Sequence, residues 1–261
     1  MSYLRYVEQE LAIAKGVVPG HYSVNKFGRA TNADSGVACT IWDRANSTHN
    51  QPLWLAPTAA RVHAIVSTQA ADTATTGASA RTIRVYGLTS WSTAETSEDI
   101  SLNGTTPVNT ANSYVIIHRM KVLTSGATSV NAGYITATAA TDASVTAQIN
   151  PTEGQTQMAI YGIPSTQSLY LTGYYASVLR SSPTGATANT SLLWTTNVTA
   201  QPNIWQVKHT CGMDQDGTTG FNHPFNPPDK FAGPGILRLR ATATSNDSDV
   251  SGGFDLIVVD N

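Results

Sequence analysis

Charge is what this sequence has least of. Asp, Glu, Lys and Arg make up 12% of the 261 residues, about half the usual share in a soluble domain. Thr, Ser, Ala and Asn take their place. A surface so poor in Lys and Glu suits a subunit whose faces are covered by neighbours better than a free cytosolic monomer, which needs charge to stay soluble. A neutral β-rich adhesin would share that composition. Basic residues do not cluster: Lys26 with Arg29 and Arg238 with Arg240 are the densest groups, and the net charge is −2. A nucleic-acid groove, which needs grouped Lys and Arg, is therefore not expected. No apolar run approaches the roughly 18 residues of a membrane span. Nor does an apolar leader follow Met1-Ser2-Tyr3, so the chain is expected to fold in the cytoplasm that makes it.

Reactive motifs are equally scarce. The two cysteines, Cys39 and Cys211, could pair on parity alone, but in a chain read as cytoplasmic they are expected to be reduced, packed thiols. Neither has zinc-ligand spacing around it. His209 and Cys211 share one face of a strand, which could make a reactive thiol. No third group is in place to orient the histidine, so packing is the expected role. His63, His118 and His209 fall inside strand patterns, and His21, His49 and His223 fall in apparent loops. None forms a ligand pair, and no metal or cofactor is expected. Glu95, Glu98 and Asp99, the densest acidic group, read as a solvated turn entering a strand. Asp247 and Asp249 lack the glycine and distal glutamate of a calcium loop. Nucleophile elbows and phosphate loops are absent. The chain is read as non-enzymatic.

What is present is β-structure. Residues 3–15 form the one helical stretch, with Leu4, Val7, Leu11 and Ala14 at helical spacing and Gly16 and Pro19-Gly20 ending it. Residues 16–60 are rich in turn formers with little periodicity and read as an extended arm. From Arg61 onward short strands alternate with turns. They are expected at 61–68, 80–88, 97–102, 113–124, 131–139, 144–149, 156–163, 169–179, 191–196, 205–213, 235–244 and 252–260. Ile83, Val85 and Gly87 oppose Thr82, Arg84 and Tyr86 with the period of two that a strand requires. Asn103-Gly104 and Asp216-Gly217 are hairpin signals. The reading is an all-β fold, a β-sandwich or jelly-roll-like domain at 61–261, as one unit or two packed sub-sandwiches, behind an arm at 1–60 that begins in a short helix.

Three stretches carry a resemblance: residues 80–105 from Ala80-Arg81-Thr82-Ile83 to Asn103-Gly104-Thr105, residues 153–164 from Glu153-Gly154-Gln155 to Ile163-Pro164, and residues 249–260 from Asp249-Val250-Ser251 to Val259-Asp260. The chain resembles a group of virion proteins encoded by tailed bacteriophages common in aquatic settings. The resemblance implies a particle component, located in the virion, and brings no catalytic residues with it. A capsid decoration or cement subunit is expected, homo-oligomeric with a trimer favoured, bound to the major capsid protein. A tail or head-tail component such as a collar, adaptor or fibre-base subunit, bound to tail proteins, is the alternative. A carbohydrate-binding host-recognition module is a further one. Tyr3, Tyr6, His21, Tyr22, Lys26, Phe27 and Arg29 are the assembly candidates on the arm. Tyr161, Tyr170, Tyr174 and Tyr175 are the candidates for stacking on sugars or anchoring an interface, with core packing the ordinary alternative.

Overall fold

A computed structural model describes residues 2–44, 52–180, 187–196, 198–199 and 203–261. Helix α1 (Ser2–Ala14) comes first, then β1 (His21–Ala33) and β2 (Ala38–Thr40). A middle group follows: β3 (His63–Ser67), β4 (Ala80–Leu88), β5 (Thr96–Ser101), β6 (Val108–Asn109), β7 (Ile116–Ser125), β8 (Ile135–Ala139) and β9 (Val145–Ile149). The chain closes through β10 (Ile160–Ile163), β11 (Gln167–Arg180), β12 (Thr187–Thr195), β13 (Gln206–Asp214), β14 (Gly220–Ala232), β15 (Gly235–Ala243) and β16 (Ser248–Asp260). The described chain is thus nearly all β behind one short helix. Its strands lie in four small sheets whose ladders are all antiparallel.

Two of these sheets enclose one core. The order β1-β16-β11-β14 faces β10-β15-β12-β13, and alternate side chains of both, such as Leu169, Leu171, Tyr174, Phe254 and Leu256 opposite Leu192, Leu237 and Leu239, meet between them. The other two sheets, β6-β3-β8-β9 and β5-β4-β7, enclose a second core around Ile65, Ile83, Val85, Ile117, Met120 and Ile135. That second sandwich is an insertion. It interrupts the edge strand beside β15, where β2 covers Arg240 to Thr242 and β10 covers Gly235 to Arg238. At the break, Ile41 N donates to Leu239 O at 3.1 Å, Leu239 N donates to Ala159 O at 3.0 Å, and Ala159 N donates to Ile41 O at 2.8 Å. Ile160 and Ile236 turn from the first core toward the second, while their neighbours Tyr161 and Leu237 stay in the first. Sheet β10-β15-β12-β13 is therefore buried on both faces along β10 and much of β15.

The stretch expected to be an arm contains a full strand of the first sandwich. β1 pairs with β16 from His21↔Val259 to Ala33↔Ser248, with one irregularity after Ala30. Its inward row is Tyr22, Val24, Lys26, Gly28 and Ala30, and a lysine and a glycine in that row hide the alternation from a hydrophobicity count. Gly28 is required there: a Cβ would stand 2.7 Å from Ala159 N, Gln157 O and Ile41 O. β14 was equally hidden, because Pro224, Pro227 and Pro228 lie within it. It is an edge strand, the place in a sheet where proline is tolerated. The Asp216-Gly217 turn follows β13 as expected, but it leads into β14 of the opposite sheet instead of closing a hairpin within one sheet.

Two polar anchors hold the inserted sandwich. The Asp72 carboxylate, fully buried, accepts from Ser67 Oγ at 2.6 Å and from the backbone N–H groups of Ala80, Ala132 and Gly133 at 2.8–3.0 Å. Trp54 ties the incoming connection to both units. Its Nε1 donates to Thr146 O at 2.9 Å in the inserted sandwich, while its own carbonyl accepts from Arg238 Nη1 of the first at 2.9 Å. Trp54→Ala empties a fully buried site, so it is expected to cost about 4 kcal/mol, read as a lowered urea midpoint. An unchanged midpoint would mean that Trp54 does not join the two units.

Candidate functional site

A group of ionisable side chains lies where the two sandwiches meet. Lys26 comes from the inward row of β1, Tyr161 from β10, His118 and Arg119 from β7, Tyr86 from β4, and Glu95 from the loop before β5. Together with Tyr22 and Asn25 they line a cleft of about 260 Å³. A β-bulge delivers His118 to it. β4 pairs Tyr86 with Arg119 and the next residue, Gly87, with Ile117, so His118 is an extra residue with no cross-strand partner. Bulges re-aim side chains in this way. His118 leaves the core that Ile117 and Met120 enter and packs its ring against Tyr161, centroids 4.7 Å apart.

The electrostatics follow from burial. The Lys26 amino group is taken out of water and donates to the His118 carbonyl. Desolvation, helped by the nearby Arg119 charge and opposed by Glu95, pushes its pKa down to about 7. Burial also lowers the His118 imidazole, although Glu95 works against it. His118 Nε2 meets Glu95 Oε2 at 2.5 Å, and its Nδ1 is buried without a hydrogen-bond partner. Burial works to raise Glu95, but His118, Lys26 and Arg119 outweigh it and hold the carboxylate low. Tyr161 is raised well above its ordinary value by burial, and Tyr22 is raised for the same reason. The Tyr22 hydroxyl donates to Gln167 Oε1 at 3.1 Å and lies 3.5 Å from the Tyr161 hydroxyl. Of this set, Lys26 is the group brought close to neutrality. Among the described residues no group of three or more His, Cys, Asp or Glu could hold a metal ion.

The remaining assembly candidates scatter. Arg29 donates to Asp43 at 2.9 Å and to Glu153 at 3.2 Å, so it also joins β1 to the end of the insertion. Burial, only partly offset by Arg29, lifts Asp43 to about 6. Phe27 is exposed on the outer face of its sheet, and His21 sits at the start of β1 with Nδ1 2.9 Å from Pro19 O. The side chains of Tyr3 and Tyr6 lie outside the described residues, as does His49. The four tyrosines divide as well. Tyr161 and Tyr174 are buried in the first core, which takes them away from any sugar, while Tyr170 and Tyr175 are half-buried.

A second cluster was not legible in the sequence. His209 of β13 stacks on His223 of β14, centroids 4.5 Å apart, beside Phe221, Phe225 and Tyr174. The Tyr174 hydroxyl lies 2.7 Å from His209 Nδ1, the orienting group that sequence alone did not supply. His223 was placed in a loop because the prolines masked its strand. Only the pairing of β14 with β11 brings it to Tyr174, as direct cross-strand partners.

No protein-family model matches the chain, and no curated protein matches it. Among solved structures, the infectious bursal disease virus Gt strain aligns over 100% of this chain and 78% of that one, at 10% identity and a TM-score of 0.22. The VP2 subviral particle of the same virus aligns over 92% and 72%, at 10% identity and 0.21. Agreement at that level does not establish a shared fold.

Both cysteines are free thiols. Cys39 is buried, and desolvation pushes its pKa up to about 11, whereas Cys211 is half-buried near a sheet edge. Iodoacetamide on the native protein should therefore alkylate Cys211 first and spare Cys39 until the chain unfolds, as followed by peptide mass mapping. Equal labelling of the two would contradict this packing.

Proposed function

We propose that the chain is a non-enzymatic structural subunit of a tailed-bacteriophage virion, a capsid decoration protein that binds the particle through its strand edges and sheet faces. The observation that carries this reading is the pairing order of the first sandwich. Taken in chain order, with β2 continuing the line of β10, its eight strands are β1 and β10 to β16. First pairs with last, second with seventh, third with sixth and fourth with fifth, and successive pairs lie in opposite sheets. That nesting supports reading the unit as an eight-strand jelly roll, an architecture recurrent in viral capsid and lectin domains. Fold by itself does not assign function, so the surface supplies the second argument. A charged fraction of 12% fits a subunit covered by neighbours. The long edge strands β13 and β14, exposed along most of their length, offer unpaired backbone of the kind that assembly partners cover. The tailed-phage assignment itself rests on the sequence resemblance.

A lectin-like reading has one observation in its favour. Tyr170 and Tyr175 stand on the outer face of β11 and are half-buried, away from the core that holds Tyr161 and Tyr174. Purified particles separate the readings. Cryo-electron microscopy with quantitative mass spectrometry should find trimers repeated over the capsid, and particles lacking the protein should lose heat stability. Six or twelve copies at one vertex would replace decoration with a tail role. Absence from particles, combined with glycan binding lost in Tyr175→Ala, would overturn the virion reading in favour of the lectin one.

A further inference from the structure

The cleft between the sandwiches presents an unusual expense. Burying a lysine, a histidine and part of a carboxylate at one boundary costs stability that apolar side chains of similar volume would not. The groups are also distributed across the boundary. Lys26 and Tyr22 belong to β1 and Tyr161 to β10, on the first sandwich. Tyr86 on β4, Glu95 before β5, and His118, Arg119 and Lys121 on β7 belong to the insertion. Asp260, at the end of β16, acts on Tyr22 from the first sandwich. Within the cleft, Lys26 Nζ donates across the boundary to the His118 carbonyl, and the Tyr161 ring packs on the His118 ring. Both of these contacts involve His118, the residue the bulge sets out of its own core.

We propose that this cleft is a protonation-sensitive latch between the two sandwiches, closed while Lys26 and His118 are neutral and opening as they gain protons. The charge count gives the direction. With Lys26 and His118 neutral, the cleft holds one carboxylate, Glu95, and one nearby cation, Arg119, whose charge favours it. With both protonated, three cations crowd around one carboxylate in a site short of water, and separating the faces lets water solvate them. The sign follows from linkage. Lys26 is held near 7 in the closed state and returns toward 10.5 when exposed, so the open state binds more protons between those values. Closure therefore strengthens as pH rises from about 7 and is weakest below it. His118, lowered by burial, extends the weakening further to the acid side. The apolar contacts of Ile160, Ile236 and Trp54 with the insertion do not titrate, so the latch modulates the boundary instead of making it.

Hydrogen exchange on the whole chain tests this at about pH 6 and pH 8.5, after correction for intrinsic rates. Peptides covering 22–28, 116–121 and 160–163 should lose protection by about tenfold or more at the lower pH. Peptides from β3 and β8, remote from the cleft, should change far less. Lys26→Met should abolish the difference, and His118→Gln should remove its acid part while leaving the slope above pH 7. Equal protection at both pH values in the wild type would overturn the latch, as would a loss shared equally by β3 and β8 or one that persists in Lys26→Met. Where Lys26→Met does not fold, the wild type and His118→Gln decide the question alone.

Discussion

The first sandwich depends on where its last strand goes. β16 lies between β1 and β11, so its 13 residues, paired on both sides, connect the start of the fold to its middle. Its inward row of Val250, Gly252, Phe254, Leu256 and Val258 is buried among residues of both sheets. Gly253 faces the other way, where a Cβ would collide with the Tyr175 ring and the Lys26 carbonyl. A side chain there would push Tyr175 off the sheet and shift β1. Because β16 is the one described strand that pairs with β1, the inward row that carries Lys26 is positioned by this ladder. The cleft is then completed by the insertion, whose ends meet at Leu239.

How much of this the sequence revealed depends on the range of the interaction concerned. Ala80–Leu88 alternates Ile83 and Val85 against Arg84 and Tyr86, and the strand occupies the expected residues. The helix, at Ser2–Ala14, lies within a residue of its expected limits. These elements announce themselves through local period and turn chemistry. β1 and β14 do not. One carries Lys26 and Gly28 in its buried row and the other carries three prolines on an edge, so both violate the local pattern because tertiary neighbours demand it. Where sequence reasoning correctly fails, function or close approach is the usual cause. Each of the two clusters described above takes residues from one of those strands, Lys26 from β1 and His223 from β14.

The candidate site was less legible still. In the sequence Lys26 reads as an arm residue, Tyr161 as an aromatic for sugars, an interface or the core, and His118 as an ordinary strand histidine; no spacing rule joins positions so far apart. A single bulge opposite Tyr86-Gly87 decides that His118 leaves its own core, and period-two counting cannot register one extra residue. Glu95 belonged to a group read as a solvated turn, and it is indeed partly exposed. Its bond to His118 is the part that needed three dimensions.

A low charge count and a few deeply buried charges are two aspects of one design. Charged residues are few, and three of them, Lys26, Glu95 and Arg119, meet His118 at the boundary between the two sandwiches. The nested strand pairing underlies both the jelly-roll reading and the placement of Lys26. Asn25 and Asp255 are direct partners on β1 and β16, with Nδ2 donating to Oδ1 at 2.7 Å on the exposed face. Facing strand positions of this kind come close enough for a disulfide. Oxidation of the Asn25→Cys, Asp255→Cys double variant should join the two ends of the folded chain, giving one cross-linked peptide pair in a mass map. A folded variant that leaves both thiols free would contradict the β1–β16 ladder and the account built on it.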